Sequence, residues 1–368
     1  MARERRSVGY ICLNMVFRLY QANTMKEAII VREAVRTLSN RLPPGWREKI
    51  LASKSTAQDR PDGTLEITSP DGTTARMVFE AKSRVFPRDV AELKSRLERY
   101  SSGPYLVVAP FLGPSTRRRL QEENLNYVDT TGNVRLVIVR PGVYVETAGA
   151  DTDPFPSELP GRSLRGPKAG RIVRALCDFP APFSISDLAV KAGVNVGYAS
   201  RVVDWLAREA LLTRAPRGPV QTVNQPQMIR RWAEDYSVLK SNDARSFLDP
   251  RGLENLLESL RKSRFKYAVT SSLAAARIAP IAPSRLAMVY VDDPERAAAS
   301  LKLRPTDAGT NVMLLGPFDS VVFDRTWKED SITFVAPSQA AVDLLTSPGR
   351  APSEGEAVLE WMAGGGRK

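Results

Sequence analysis

Hydrophobic positions recur along this chain with two periods, and the switches between them mark out its elements. In residues 27–42, Ile30, Val31, Ala34, Val35 and Leu38 fall on one helical face. Thr64 to Thr68 and Ala75 to Lys82 read as strands instead, and the turn Pro70-Asp71-Gly72-Thr73 between them predicts a hairpin. A helix over Arg88 to Tyr100, a short buried strand from Tyr105 to Ala109, a helix from Ser115 to Glu123 and a strand pair around Tyr127 to Val139 follow. The order α-β-β-α-β-α-β predicts an α/β domain with a mixed sheet.

From Ala148 to Pro167 the pattern lapses into a proline- and glycine-dense run, which reads as a linker. Ala169 to Phe179 then forms an amphipathic helix, and Ser184 caps a short one over Ser186 to Ala192 with Asp187 in its first turn. After Gly193-Val194, Asn195 caps a third helix over Val196 to Ala210, and Leu212 to Val223 reads as a β-hairpin. Further on come helices over Met228 to Lys240 and Leu253 to Arg264, a strand at Tyr267, an alanine-rich helix, strands at Leu286, Asn311 and Ser331, and a helix over Gln339 to Leu345. The expected division is an α/β domain at 25–148, a linker at 149–167, a helical module at 168–225 and an α+β domain at 226–350.

Composition narrows the chemistry. The 368 residues hold no histidine, which excludes Ser-His-Asp and Cys-His nucleophile systems and imidazole-ligated zinc. Any metal would have to be held by carboxylates. Cys12 and Cys177 are too few for a disulfide framework, which points to the reducing cytoplasm. The most apolar run, Val8 to Leu19, is interrupted by Asn14 and Arg18, so no membrane span is expected. The net charge of +12 favours a polyanionic partner, nucleic acid first.

Within the hairpin, alternation places Val78, Glu80 and Lys82 on one face of the second strand. Asp62 lies on the neighbouring strand near the level of residues 80 to 82, with its facing open to a one-residue shift in register. The spacing D-x(17)-E-x-K, followed by a helix and another strand, resembles the PD-(D/E)xK restriction-endonuclease-like fold. That resemblance implies Asp62 and Glu80 as ligands of Mg²⁺ and Lys82 as the residue that orients the attacking water. A surface ion pair between Glu80 and Lys82 is the plainer alternative, and the fold can also serve as a non-catalytic DNA-binding module. Residues 105–138 resemble a stretch in bacterial winged-helix regulators that carry such a domain in front, ending in the turn Asp129-Thr130-Thr131-Gly132-Asn133. Its glycine and asparagine also suit a purely geometric role.

Helix, short helix, tight turn, longer helix and basic hairpin are the parts of a winged helix-turn-helix. Residues 161–220 hold ten Lys/Arg against four Asp/Glu. The opening turns of the third helix would enter the major groove, which makes Asn195, Gly197, Tyr198, Ser200 and Arg201 the groove-facing candidates, with Arg201 as base reader. Arg171, Lys191, Arg208, Arg214 and Arg217 would contact phosphate. The partner expected is double-stranded DNA, and paired half-sites suit a homodimer.

The stretches YAVTSSLAAARIAP, MVYVDD, NVMLLGPFDSVVF and AVDLLTSPGR, placed after this module, resemble the AbiEi-type antitoxin and transcriptional regulator family of type IV toxin-antitoxin systems over residues 168 to about 350. The resemblance implies a repressor of its own operon with a cognate toxin protein as partner, and no cofactor. Asp292 and Asp293 before Pro294 are better suited to ending a strand and capping a helix than to sharing a metal, because adjacent strand residues point to opposite faces. The preferred expectation is a DNA-binding regulator; the alternative is a Mg²⁺-dependent nuclease targeted by the winged helix.

Overall fold

The computed structural model describes residues 27–52, 61–154, 163–215 and 218–365. The run Val8 to Leu19, Cys12, part of the expected linker and Arg217 lie outside these residues. No helix among the described residues is long and apolar enough to cross a membrane. The chain is a mixed α/β protein that divides into two compact units, residues 1–158 and 159–368.

The first unit is a three-layer sandwich on one sheet whose seven strands lie side by side in chain order. Helix α1 (residues 27–39) precedes β1 (Arg47–Ala52), β2 (Gly63–Thr68) and β3 (Thr74–Ala81), which pair antiparallel. Then α2 (Val90–Glu98) leads to β4 (Tyr105–Ala109) and α3 (Pro114–Glu122) to β5 (Asn126–Asp129). These crossovers make β3, β4 and β5 parallel. β6 (Val134–Ile138) and β7 (Val143–Thr147) return antiparallel. Alternation decides the faces: Leu65, Ile67, Met77 and Phe79 pack with Ala34 and Leu38 of α1, whereas Val107, Ala109 and Tyr127 pack with Leu93 and Leu97 of α2 and Leu120 of α3. β1 and β7 are strands beyond those the sequence pattern indicates.

The second unit begins with α4 (Pro167–Asp178), α5 (Ile185–Ala192) and α6 (Val196–Arg208), followed by the hairpin β8 (Leu212–Arg214) and β9 (Val220–Val223). Phe183 adds a bridge to Val220, so three short extended segments meet beside the helices. Then α7 (Gln225–Ala233) and α8 (Val238–Ser241) lead into a second seven-stranded sheet. Its members are β10 (Asp243–Leu248), β11 (Tyr267–Thr270), β12 (Ala287–Val291), β13 (Arg304–Pro305), β14 (Val312–Gly316), β15 (Trp327–Glu329) and β16 (Ile332–Phe334). The spatial order is β13-β10-β14-β12-β11-β16-β15. The intervening helices are α9 (Leu253–Arg261), α10 (Ser271–Ile278) and α11 (Pro294–Leu301), and α12 (Pro337–Leu345) with α13 (Ala351–Ala363) closes the chain.

One hydrophobic core runs from Leu164 to Leu359, across position 225–226 where the sequence suggested a division. Helix α4 packs against α5, α7 and α12. It can approach this closely because residue 170 is glycine: a Cβ there would stand 3.3 Å from both Phe318 and Trp232. Arg174, fully buried on the same helix, pairs with Asp178 at 2.9 Å and donates to Gln339 Oε1 of α12 at 3.0 Å and to the carbonyls of Val321 and Asp324. A buried guanidinium is tolerated only when its donors are met in this way. Asp292 and Asp293 form the expected capping turn, Asp293 Oδ1 accepting from the N–H groups of Glu295 and Arg296.

Candidate functional site

The three helices α4 to α6 set the geometry of the basic residues that the sequence singled out as nucleic-acid contacts. Ser184 and Asp187 form a reciprocal capping box at the start of α5. Gly193 ends that helix at φ +61°, a left-handed conformation in which glycine has no Cβ penalty, and so turns the chain sharply into α6. Asn195 Oδ1 accepts the Tyr198 N–H at 2.7 Å and caps α6. Ala199, Val202, Val203 and Leu206 are buried, so the helix is anchored by one stripe and turns the other outward.

On that outward stripe Asn195, Gly197 and Arg201 are exposed and Tyr198 and Ser200 are half-buried. The Arg201 guanidinium carbon lies 6.0 Å from the centre of the Tyr198 ring, and one of its nitrogens lies 3.7 Å from where a Cβ on Gly197 would be. A side chain at 197 would still have ordinary room, so glycine keeps the first turn open without being sterically required there. No ion pair involves Arg201 among the described residues, and no acidic residue stands in the first turn of α6. The first turn therefore offers backbone N–H groups, a partial positive charge and an unneutralised guanidinium together.

The expected phosphate contacts fare differently. Lys191 is exposed, its ammonium 4.1 Å above the Phe179 ring. Arg208, in the last turn of α6, is half-buried and engaged within the fold. Two further expected contacts are already engaged by acids within the fold. The Arg214 side chain is only 9% exposed and pairs with Asp204 of α6 at 3.1 Å, tying β8 to the helix. Arg171 pairs with Asp319 at 2.9 Å, so its charge is already met. Neither pairing could be read from the sequence, because each partner lies on a different element. The Arg217 expectation falls outside the described residues.

In the first unit the register resolves the facing of Asp62. Gly63 pairs with Phe79, and one step further Asp62 comes opposite Glu80. Asp62 Oδ2 accepts the Ala81 N–H at 2.7 Å. Glu80 is 1% exposed, and its Oε1 receives both Lys82 Nζ at 2.6 Å and a guanidinium nitrogen of Arg96 at 3.0 Å, while Oε2 is buried without a hydrogen bond. Asp62, Glu80 and Lys82 do converge. Burial pushes the Glu80 carboxyl above the ordinary carboxylate range, and Lys82 only partly offsets it. Glu27, at the start of α1, is raised by burial and then by the nearby Asp62 charge, which brings a third carboxylate into the same electrostatic neighbourhood. The sequence reading missed Glu27 and Arg96; the acidic start of a helix and the cation next to Leu97 were the only available signals.

These residues do not suit Mg²⁺ as arranged. A magnesium ion needs open oxygen ligands and retains several waters. Glu80 is closed to water and carries two cations on one oxygen. Among the described residues, no group of three acidic, cysteine or histidine side chains is placed to hold a metal ion. The Asp129 turn is built for structure: the buried carboxylate accepts from the N–H groups of Leu112, Thr131 and Asn133, from the Thr131 hydroxyl and from the Asn133 amide. No family model, curated protein or solved structure matches the chain.

Proposed function

We propose that residues 168–225 form a winged helix-turn-helix and that the protein is a sequence-specific DNA-binding regulator acting as a repressor. The observation that carries this reading is the exposed Arg201, without an ion pair among the described residues, on the first turns of a helix whose opposite stripe is buried. A guanidinium so placed can bond a guanine O6 and N7 together, and the pair discriminates against a wrong base by ~1–3 kcal/mol. Lys191 adds a salt-dependent phosphate contact. The resemblance of residues 168–350 to AbiEi-type antitoxins suggests a setting in which the protein represses its own operon and binds a toxin, to be tested by co-purification with the neighbouring gene product.

The test is fluorescence anisotropy with selected and random duplexes across a salt series. Arg201→Ala should lose affinity for the selected duplex and little for the random one. Equal losses on both would overturn the assignment of Arg201 as a base reader. The rival reading, a Mg²⁺-dependent nuclease, is disfavoured by the paired state of Glu80. Plasmid cleavage with Mg²⁺ that is lost in both Glu80→Ala and Lys82→Ala would reinstate it.

A further inference from the structure

A cleft of about 290 Å³ opens at one end of the second unit's sheet, away from the α6 surface in sequence and in its lining. Its walls are the end of α9 and the segment after it (Arg261, Ser263, Phe265, Lys266), Tyr267 at the start of β11, Phe323, and Thr326, Lys328, Ser331 and Thr333 around the β15–β16 hairpin. The lining contains three cations and five hydroxyl-bearing residues and not one carboxylate. Two of the three cations, Lys266 and Lys328, stand at exposed positions facing these hydroxyls.

The pairing around the cleft sharpens the point. Arg261 is held by Glu258 at 2.9 Å and donates its Nε to the Asp330 carbonyl. Glu258 is also bound by Lys262 at 2.8 Å, and Asp330 by Arg277 at 3.3 Å, so the nearby acids are already occupied. Lys266 and Lys328 have no ion pair among the described residues. Lys266 is fixed by the Phe323 ring, its ammonium 4.3 Å from the ring centre, an arrangement that positions the charge without neutralising it. Lys328 stands directly across the hairpin from Thr333, which puts an ammonium and a hydroxyl side by side on one face. The Tyr267 hydroxyl accepts the Thr333 N–H at 3.4 Å and keeps its own proton for another acceptor. The Ser263 hydroxyl donates to the Leu260 carbonyl at 2.8 Å, which caps the negative end of α9 where it would otherwise face the cleft.

We infer that this cleft binds a small phosphorylated ligand with an aromatic ring, of the nucleoside-phosphate class: Lys266, held over the buried Phe323 ring, and Lys328 take the phosphate, and the half-buried Phe265 ring supplies the apolar wall for the base. A concave site bordered by one partly exposed aromatic ring suits a free nucleotide better than a duplex backbone, which is read by ridges and exposed stripes. The site is independent of the DNA-binding reading and stands or falls without it.

Isothermal titration of the full chain tests it, with ADP as the probe and adenosine and orthophosphate as comparisons. ADP should bind one-to-one, adenosine should not bind, and orthophosphate should bind far more weakly than ADP. Lys266→Gln and Lys328→Gln, both at exposed positions, should each weaken ADP by about tenfold or more, as expected when a charge-assisted hydrogen bond is lost, while Lys328→Arg should retain binding. Absence of ADP binding at millimolar concentration, or ADP affinity unchanged in both glutamine variants, would overturn the site. Orthophosphate binding as tightly as ADP would overturn the nucleotide class. Duplex binding weakened by the same variants without any ADP binding would assign these lysines to nucleic acid instead.

Discussion

Replacing Asp343 with asparagine should change how the stability of the second unit depends on pH. Asp343 lies on α12 with no solvent exposure, and its carboxylate accepts from Thr270 Oγ1 at 2.6 Å, Gln339 Nε2 at 2.9 Å, the Tyr236 hydroxyl at 2.9 Å and the Tyr290 hydroxyl at 3.0 Å. Those four donors favour the ionised form, yet burial outweighs them and raises the carboxyl from 3.8 to about 6. The folded protein therefore holds this proton more tightly than the unfolded chain does. The resulting stabilisation is full below the unfolded value, and it is lost as pH rises through about 6. At ~1.4 kcal/mol per unit, a rise of roughly two units amounts to about 3 kcal/mol. Asparagine has the same shape and no proton to lose, and the three surrounding hydroxyls can rotate to accept its N–H₂ group. Urea denaturation of both proteins from about pH 3.5 to 7.5, followed by tryptophan fluorescence, isolates the effect, because other titrating groups cancel in the difference. The wild type should lose ground to Asp343→Asn by about 3 kcal/mol over that range. A difference that stays flat with pH, or that moves in favour of the wild type, would refute the reasoning.

Arg214→Ala should lower the stability of the second unit by about 1 kcal/mol in urea denaturation, the scale of a partly exposed ion pair, and leave the salt slope of the proposed DNA binding unchanged. A reduced slope would return Arg214 to the phosphate contacts. Arg96→Ala leaves the buried Glu80 with Lys82 as its only cation, and the loss should be about 3 kcal/mol; the double variant Arg96→Ala/Glu80→Gln should recover part of it, as measured by the same method.

Much of the architecture was legible because burial follows period. The strand Tyr105–Ala109 and the helix starts at Ser184 and Asn195 stand where a continuous apolar run and capping chemistry put them. Elements without a strong pattern escaped. β1 reads Arg-Glu-Lys-Ile-Leu-Ala, a charged strand at the sheet edge, and β10 buries only Phe247. α13 carries Glu354 and Gly355 on its buried side, so its sequence lacks a clean apolar stripe. The candidate site divides along the same line. Exposure of Asn195, Gly197 and Arg201 follows from helical period alone, because Val202, Val203 and Leu206 take the inward stripe. Pairings made across elements do not: nothing in the local sequence distinguishes Arg201, left unpaired, from Arg214 and Arg171, each claimed by an acid elsewhere in the fold. In the carboxylate cluster Asp62, Glu80 and Lys82 were legible from strand spacing, while Arg96 was hidden among the charges of α2.

The anchoring of α4 makes the module of α4 to β9 inseparable from the rest of the second unit. A fragment cut after Asn224 would strip away Trp232, Phe318 and Gln339, leaving bare the helix face at Gly170 and stranding the interior guanidinium of Arg174 with Asp178 alone. Such a piece should aggregate rather than stay folded, and moving it onto another protein would require carrying α7 and α12 along with it.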